Sequence, residues 1–172
     1  MGVMVGRRGA RADEEFDAFF YAMRPAIMRL ALRLSGDWFV SEDVTAEAFA
    51  RAFARWPTVR ELEHRDAWVM RVASNLAIDV IRRRRGPTRP LQHLAGEVTD
   101  PADVAVLRLS LAAALAALPK SQREAAVLRY IADLSEADVA AALGVATGTV
   151  KSHLHRARSA LGSSFDFDME GV

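Results

Sequence analysis

A helix-turn-helix pattern near the carboxyl end, from Ser135 to Leu161, constrains the fold of this chain more than any other sequence feature. Ser135 is followed three residues later by Asp138, which predicts an N-cap with an acidic partner and therefore the start of a helix. Gly144 can adopt the left-handed conformation that ends a helix, and a second helix can resume at about Thr147. Two helices joined by so short a turn are typical of a helix-turn-helix.

The second of these helices is predicted to have an apolar side and a basic side. At about 100° per residue, one narrow arc holds four apolar residues: Val150, Leu154, Ala157 and Leu161. This arc should pack on Val139 and Leu143 of the first helix. The outward side has short or cationic residues and no acid: Gly148, Lys151, Ser152, His155, Arg156 and Ser159. Such a face suits the major groove of DNA, where Lys151, Arg156 and Arg158 can reach phosphates or base edges, although a solvated helix face is the alternative.

Composition excludes several other classes of protein. Of the 172 residues, 51% are hydrophobic and 26% are charged, values that suit a soluble protein with packed cores and fit one domain or two small ones. The chain has no cysteine, which excludes a disulfide framework and a thiolate metal site. No apolar run approaches the ~20 residues of a membrane span, and the amino terminus lacks the apolar core of a secretory signal. We therefore expect a soluble cytoplasmic protein.

Charge distribution, rather than the net charge of +1, must support any nucleic-acid binding. Between Arg71 and Arg89 there are six arginines and one acid, Asp79. From residue 86 to residue 103 the sequence is rich in proline and glycine without a sustained period, which predicts a linker. We expect an all-α protein of two small helical domains, 13–85 and 104–161, joined by the linker 86–103, with 1–12 and 162–172 as flexible tails.

The first two helices of the amino-terminal half are predicted from apolar stripes. Acidic residues from Asp13 suit a helix start, and the stripe continues to Leu34, with either a kink or a new helix at Pro25. Ser41 is the predicted N-cap of the next helix, which should end at Trp56 before Pro57. Its apolar arc comprises Thr45, Phe49, Ala52, Phe53 and Trp56. A second face is flat and acidic, and suits either a docked protein or solvent: Asp43, Ala46, Glu47, Ala50 and Ala54.

A third helix, capped by Asp66 and extending through Arg85, is predicted to have an unusual polar stripe. Its buried arc comprises Val69, Val72, Ala73, Leu76, Ala77 and Val80. The opposite stripe comprises Trp68, Arg71, Asn75, Asp79 and Arg82, and continues into Arg83, Arg84 and Arg85. An aromatic ring, an amide and arginines together suit single-stranded nucleic acid. The alternatives are a solvated arginine-rich helix end and, for Trp68, a place in the core.

Two further helices should precede the helix-turn-helix. The first runs from about Ala102 to Ala117, and Ser121 with Glu124 forms a predicted capping box that opens the second. Apolar residues of the second should support the helix-turn-helix from behind: Ala125, Val127, Leu128 and Ile131.

Three of these blocks, in this order, resemble the bacterial sigma factors of the extracytoplasmic-function group, the two-domain members of the sigma-70 family. The segment SEDVTAEAFARAF resembles the core-polymerase-binding segment of that family. The helix AWVMRVASNLAIDVIRRRR resembles its promoter-melting and −10 recognition helix. The block from Leu118 to Leu161 resembles its −35-binding domain, so the resemblance covers roughly Phe16 to Leu161.

The resemblance implies a non-catalytic sigma factor that directs core RNA polymerase to specific promoters by −35 duplex binding and −10 strand capture. The implied partners are the clamp helices of the largest polymerase subunit and promoter DNA, both duplex and single-stranded. An anti-sigma factor is left open as a further partner, and neither a cofactor nor a membrane is implied. The protein would be cytoplasmic and would associate with the nucleoid when bound to polymerase.

The resemblance also implies roles for individual residues. Polymerase binding would involve Glu42, Asp43, Glu47 and Phe49. The −10 region would be contacted by Trp68, Arg71, Asn75, Asp79, Arg82 and Arg83, with Asn75 at a flipped non-template base. The −35 duplex would be contacted by Thr149, Lys151, Ser152, His155, Arg156 and Arg158. Ala46 stands where the family commonly has glutamine, so a side-chain contact would be lost there, and His153 stands where arginine is frequent.

Two other classes of function compete with this one. A dimeric helix-turn-helix regulator would use its amino-terminal half for sensing or dimerisation, but would not need the acidic small-residue face or the Trp68–Arg85 stripe. An enzyme is the weakest alternative. The four histidines do not cluster with acids in the sequence, so we predict neither a catalytic residue nor a metal site.

Overall fold

The structure is a computed structural model that describes the backbone of residues 3–85 and 101–165, and the side chains of residues 12–83 and 104–162. Within these residues all regular structure is helical, which confirms the predicted fold class. Most of the predicted linker 86–103 lies outside the described residues. The first helix begins at Val3 and the last ends at Phe165, so both extend into segments predicted as tails.

Helix α1 (Val3–Ser35) is one continuous helix that contains Pro25. Neither a break nor a new helix occurs at the proline. Met23, Ile27 and Leu30 on either side of it are all buried in one core, so packing holds the helix together across the missing hydrogen bond. The helix also begins before the predicted Asp13, and the Trp56 indole Nε1 donates to the Ala12 carbonyl at 3.0 Å.

Helix α2 (Trp38–Ala54) is capped by Asp37 rather than by the predicted Ser41. The Asp37 carboxylate accepts from the Val40 backbone N–H at 3.2 Å. Ser41 lies one turn inside the helix, fully buried, where its hydroxyl donates to the Asp37 carbonyl at 2.7 Å. A short helix α3 (Trp56–Val59) follows, with Pro57 in its first turn.

Helix α4 (Arg65–Arg85) packs against α1 and α2 to form the larger apolar core. Its buried residues there are Val69, Ala73, Ala77, Ile78 and Ile81. Of the predicted arc, Val72, Leu76 and Val80 are only half-buried. An aromatic cluster closes the other side of this core, where the Phe20 and Phe49 ring centroids lie 4.7 Å apart and the Phe19 and Trp56 centroids 5.3 Å apart.

The carboxyl-terminal half contains α5 (Pro101–Ala117), α6 (Lys120–Ala126), a π-helical turn (Val127–Ile131), α7 (Glu136–Leu143) and α8 (Thr147–Phe165). Helices α7 and α8 form the predicted helix-turn-helix. The Ser135 hydroxyl accepts from the Asp138 backbone N–H at 3.1 Å, and Gly144 ends α7 in the left-handed conformation with φ of 67°. Leu128, Val139, Val150 and Leu154 pack together in a second apolar cluster, as predicted. The other residues predicted for this packing lie on the larger core instead: Val127, Ile131, Ala157 and Leu161.

The predicted capping box at Ser121 is wrong. Pro119 occupies the N-cap of α6 and makes no side-chain capping bond, so Ser121 lies inside the helix. Glu124 is buried, with only 4% of its surface exposed, and its carboxylate bonds to residues of α4 instead.

Gly144 provides a direct test of the turn. An added Cβ would meet no neighbouring atom within 4 Å at either Gly144 or Gly148, but only Gly144 has a positive φ. We expect Gly144→Ala to lower the free energy of unfolding by about 1–2 kcal/mol, because alanine is strained in the left-handed conformation. Gly148→Ala, in the first turn of α8, should raise it by up to about 0.5 kcal/mol. Urea unfolding followed by circular dichroism measures both, and equal effects of the same sign would contradict this account.

Candidate nucleic-acid and polymerase interfaces

The outer face of α8 is fully open to solvent. All six residues predicted to contact duplex DNA are exposed: Thr149, Lys151, Ser152, His155, Arg156 and Arg158. The opposite side of the helix is buried, with Val150 and Ala157 at 0% exposure. Because the buried side fixes the rotation of the helix, the short and cationic residues must face outward together.

Hydrogen bonds and one ion pair organise this basic face. The Ser152 hydroxyl donates to the Gly148 carbonyl at 3.1 Å, which holds the serine close to the helix surface. The Lys151 ammonium lies 3.9 Å from the Glu136 carboxylate of α7. At 68% side-chain exposure Lys151 can leave this weak contact for a phosphate at little cost.

His153 lies on a different side of α8, half-buried and facing away from the basic face. It lines an open groove of about 380 Å³ together with Arg71, Lys120 and Glu124. Its Nδ1 atom is buried and has no hydrogen-bond partner among the described residues. The groove therefore lies between the amino-terminal and carboxyl-terminal halves of the chain.

The acidic face of α2 is exposed as predicted, including Glu42, Asp43, Ala46 and Glu47. Arg51 donates to the Glu47 carboxylate at 2.8 Å. The fourth residue assigned to this site is different, because Phe49 is 97% buried in the aromatic cluster. It supports α2 from behind and does not lie on the exposed acidic face.

Two aromatic residues that the sequence analysis did not assign to this site flank the acidic face. Phe39 is 77% exposed and Phe53 is 55% exposed, although Phe53 was predicted to belong to the buried arc. Helical spacing places them on one stripe with Asp43, Ala46 and Ala50. Phe39 falls outside the apolar arc of α2, and that mismatch was the signal that could have identified it.

The polar stripe of α4 is only partly accessible. Trp68, Arg71, Asn75 and Asp79 are half-buried, while Arg82 and Arg83 are exposed. Trp68 packs on the larger core, which is one of the alternatives considered for it, and it also lines a groove of about 270 Å³ with Ala142 and Leu143 of α7. Arg82 pairs with Asp79 at 3.2 Å near the exposed end of the stripe.

The carboxyl-terminal half covers the middle of this stripe. The Asn75 amide nitrogen donates to one oxygen of Glu124 at 2.7 Å, and an Arg71 guanidinium nitrogen lies 3.1 Å from the other. Arg71 also donates to the Ala142 carbonyl of α7 at 3.3 Å. The structure thus brings two predicted −10 residues together, on an acid that the sequence analysis had assigned to a helix cap.

The described residues contain no group of three or more histidine, cysteine, aspartate or glutamate side chains arranged to hold a metal ion. None of the helices in that part of the chain is both long enough and apolar enough to cross a bilayer.

Comparisons with known proteins place both halves of the chain in one family. Residues 19–86 match the family model of sigma-70 region 2, and residues 108–161 match that of sigma-70 region 4. The ECF RNA polymerase sigma factor SigL of Mycobacterium tuberculosis is 36% identical over 159 residues, which cover 88% of this chain and 90% of SigL. The chain belongs to the extracytoplasmic-function group of the sigma-70 family.

The chain is also similar to a second sigma factor in sequence and to a solved structure in fold. The RNA polymerase sigma-E factor of Streptomyces coelicolor is 34% identical over 148 residues, which cover 86% of this chain and 84% of that protein. The sigma factor RpoE of Bartonella quintana, solved in complex with the anti-sigma factor NepR, matches with a TM-score of 0.55. That match covers 90% of this chain and 99% of RpoE at 24% identity, and it supports the fold alone.

The sigma factor therefore directs RNA polymerase to promoters, as the sequence resemblance implied. The match to region 2 contains α2 and α4, and the match to region 4 contains the helix-turn-helix. The chain therefore acts in transcription initiation, where it binds RNA polymerase and promoter DNA.

Stability measurements can separate the core role of Phe49 from the surface role of its neighbours. We expect Phe49→Ala to lower the free energy of unfolding by about 3–5 kcal/mol, because it removes a buried ring from the aromatic cluster. Asp43→Ala, on the exposed face of the same helix, should change it by less than about 0.5 kcal/mol. Equilibrium urea unfolding compares the two, and a loss for Phe49→Ala as small as that for Asp43→Ala would show that the ring is not part of the core.

Proposed function

We propose that this sigma factor divides promoter recognition among three surfaces, with α8 on the −35 duplex, the α4 stripe on the unpaired −10 strand and α2 on polymerase. The observation that chiefly supports this division is the uninterrupted basic face of α8, opposite a fully buried side. The domain division at residues 86–103 belongs to the same proposal.

On the −35 duplex, the short residues Thr149 and Ser152 permit close approach of the helix. Lys151, Arg156 and Arg158 would contact phosphates or base edges. Each phosphate contact should contribute to a salt-dependent affinity through release of counterions. His153 lies away from this face, so its replacement of a frequent arginine removes a cation from the groove between the halves rather than from the duplex contact.

On the −10 strand, Asn75 would bind the edge of a flipped non-template base, and Arg71, Arg82 and Arg83 would contact the backbone. Trp68 offers part of an aromatic ring for stacking, and Asp79 would hold Arg82 in place through its 3.2 Å ion pair. Preferential binding of the open strand shifts the duplex toward melting.

On polymerase, Glu42, Asp43 and Glu47 would face the clamp helices of the largest subunit. Phe39 and Phe53 add exposed aromatic rings at either end of the same face, and rings of this kind often dominate the energy of an interface. Ala46 lies between them, so the loss of a side-chain contact there is compatible with a flat face that permits close approach.

We further propose that the chain has no catalytic activity of its own and that it acts in the cell interior, on the nucleoid when bound to polymerase. An anti-sigma factor is a proposed partner, because the sigma factor RpoE of Bartonella quintana is bound to one. Polymerase holds the two DNA-binding modules in register, and each weak contact gains from that tether through effective concentration.

Run-off transcription with purified core polymerase and a genomic promoter library tests the proposal as a whole. Addition of the sigma factor should redirect initiation to a defined subset of promoters with related −35 and −10 elements. A stable dimer that binds a palindromic duplex and does not alter where polymerase initiates would refute the proposal.

Single substitutions test the division between duplex and strand. Lys151→Ala should weaken −35 duplex binding by the holoenzyme and reduce the slope of log affinity against log salt by about 1. Asn75→Ala should lower open-complex formation by about tenfold, with little effect on duplex binding. A tenfold loss corresponds to the ~1.4 kcal/mol expected when one contact to a base is removed. Filter binding on duplex and permanganate footprinting of melted promoter measure the two steps.

Arg29→Ala is the matched control, since it removes an exposed arginine from α1, a helix to which the proposal assigns no DNA or polymerase contact. It should leave both steps unchanged. If Asn75→Ala and Lys151→Ala impair both steps equally, the division of labour is incorrect.

A further inference from the structure

Glu124 is an acid at the contact between the two halves of the chain, and only 4% of its surface is exposed. Both of its carboxylate oxygens are bound by α4, one by Asn75 at 2.7 Å and the other by Arg71 at 3.1 Å. A buried carboxylate is costly unless its oxygens are paired in this way. In this arrangement Glu124 therefore depends on the two α4 residues.

Apolar and backbone contacts extend the same interface. Ala67, at the start of α4, is buried in the helix-turn-helix cluster with Leu128 and Val139. Elsewhere in the interface an Arg33 guanidinium nitrogen of α1 donates to the Ile131 carbonyl at 2.8 Å. The apolar part also includes large residues, because Leu115, Leu118 and Val127 of the carboxyl-terminal half lie in the same buried cluster as residues of α1, α2 and α4. The closed arrangement therefore rests on apolar packing as well as on the polar contacts at Glu124.

The groups that bind Glu124 are also those that the proposed function assigns to the −10 strand. An amide nitrogen that donates to a carboxylate cannot donate to a base at the same time, and the same guanidinium cannot pair fully with both Glu124 and a phosphate. The basic face of α8, in contrast, stays exposed. The closed arrangement thus leaves the duplex-binding face open and covers the strand-binding groups.

We infer that Glu124 is an intramolecular competitor of single-stranded DNA, which holds the two halves closed in the free chain and must release Arg71 and Asn75 before the −10 strand can bind. The identity of the competing ligand rests on the proposed function, while the closed contact itself does not. A ligand that needs the open form binds with an affinity reduced by the fraction of chains that are open.

Fluorescence energy transfer tests the closed contact in the full chain. The natural sequence has no cysteine, so Arg24→Cys on α1 and Ser159→Cys on α8, both at exposed positions, allow specific labelling. Glu124→Gln keeps the side-chain shape but removes the charge that pairs with Arg71, and Glu124→Ala removes both contacts. Both should reduce the high-transfer population, Glu124→Ala more than Glu124→Gln, while circular dichroism shows unchanged helix content.

Binding of a fluorescein-labelled, mixed-sequence single-stranded DNA to the free chain tests the competition. Glu124→Ala should raise the affinity by about tenfold if about a tenth of the natural chains are open. Glu61→Gln is the matched control, because this acid is exposed on the loop before α4 and pairs only with Arg60 among the described residues. It should change neither energy transfer nor DNA affinity.

A charge exchange between Arg71 and Glu124 distinguishes loss of this contact from unfolding of the chain. Arg71→Glu alone should open the chain, and Arg71→Glu combined with Glu124→Arg should restore the high-transfer population, because the pair is re-formed in reverse. Unchanged energy transfer in both Glu124 variants would overturn the inference, as would opening without a gain in single-stranded DNA affinity. If the Glu124 variants open the chain but run-off transcription fails, the closed contact stands and the proposed function is at fault.

Discussion

The structure depends on helix α4 being buried on two sides at once. Its apolar arc packs against α1 and α2, and its first turn enters the helix-turn-helix cluster through Ala67. The polar stripe between these two contacts cannot be left without partners, because buried polar groups cost free energy unless they form hydrogen bonds. Glu124 supplies partners for Arg71 and Asn75. This acid on α6 and the apolar residues that both halves contribute to the larger core together set how the two halves of the sigma factor meet.

Local signals in the sequence predicted local structure well. Ser135, Asp138 and Gly144 cap α7 within one helix, so the information needed for each cap lies a few residues away. The same reasoning failed at Ser121 and Glu124, where the pattern of a capping box was present but α4 lies close enough to bind the acid. A contact over 49 residues of sequence leaves no periodic signal, so a single chain could not reveal it.

The candidate surfaces were predictable to different degrees for a similar reason. The outward face of α8 follows from the helical period alone, because one side is uniformly apolar. On α2 the helical period gave the acidic face and placed Phe49 in the buried arc, whereas the exposure of Phe53 depends on where α1 lies. Aromatic residues have a large apolar area in either place, so composition does not distinguish a core ring from an anchor at an interface.

The contact between the halves combines a half-exposed arginine, an asparagine and a buried acid with apolar packing, in which Leu115, Leu118 and Val127 of the carboxyl-terminal half join the larger core. Separation would return Glu124 to water and expose these apolar side chains, while the aromatic cluster of α1 and α2 and the helix-turn-helix cluster would keep most of their own contacts. Polymerase and promoter DNA must therefore favour the open form by more than the free energy of both the polar contact and this apolar packing. The same residues can thus keep the free chain closed and serve the promoter once the halves are held apart.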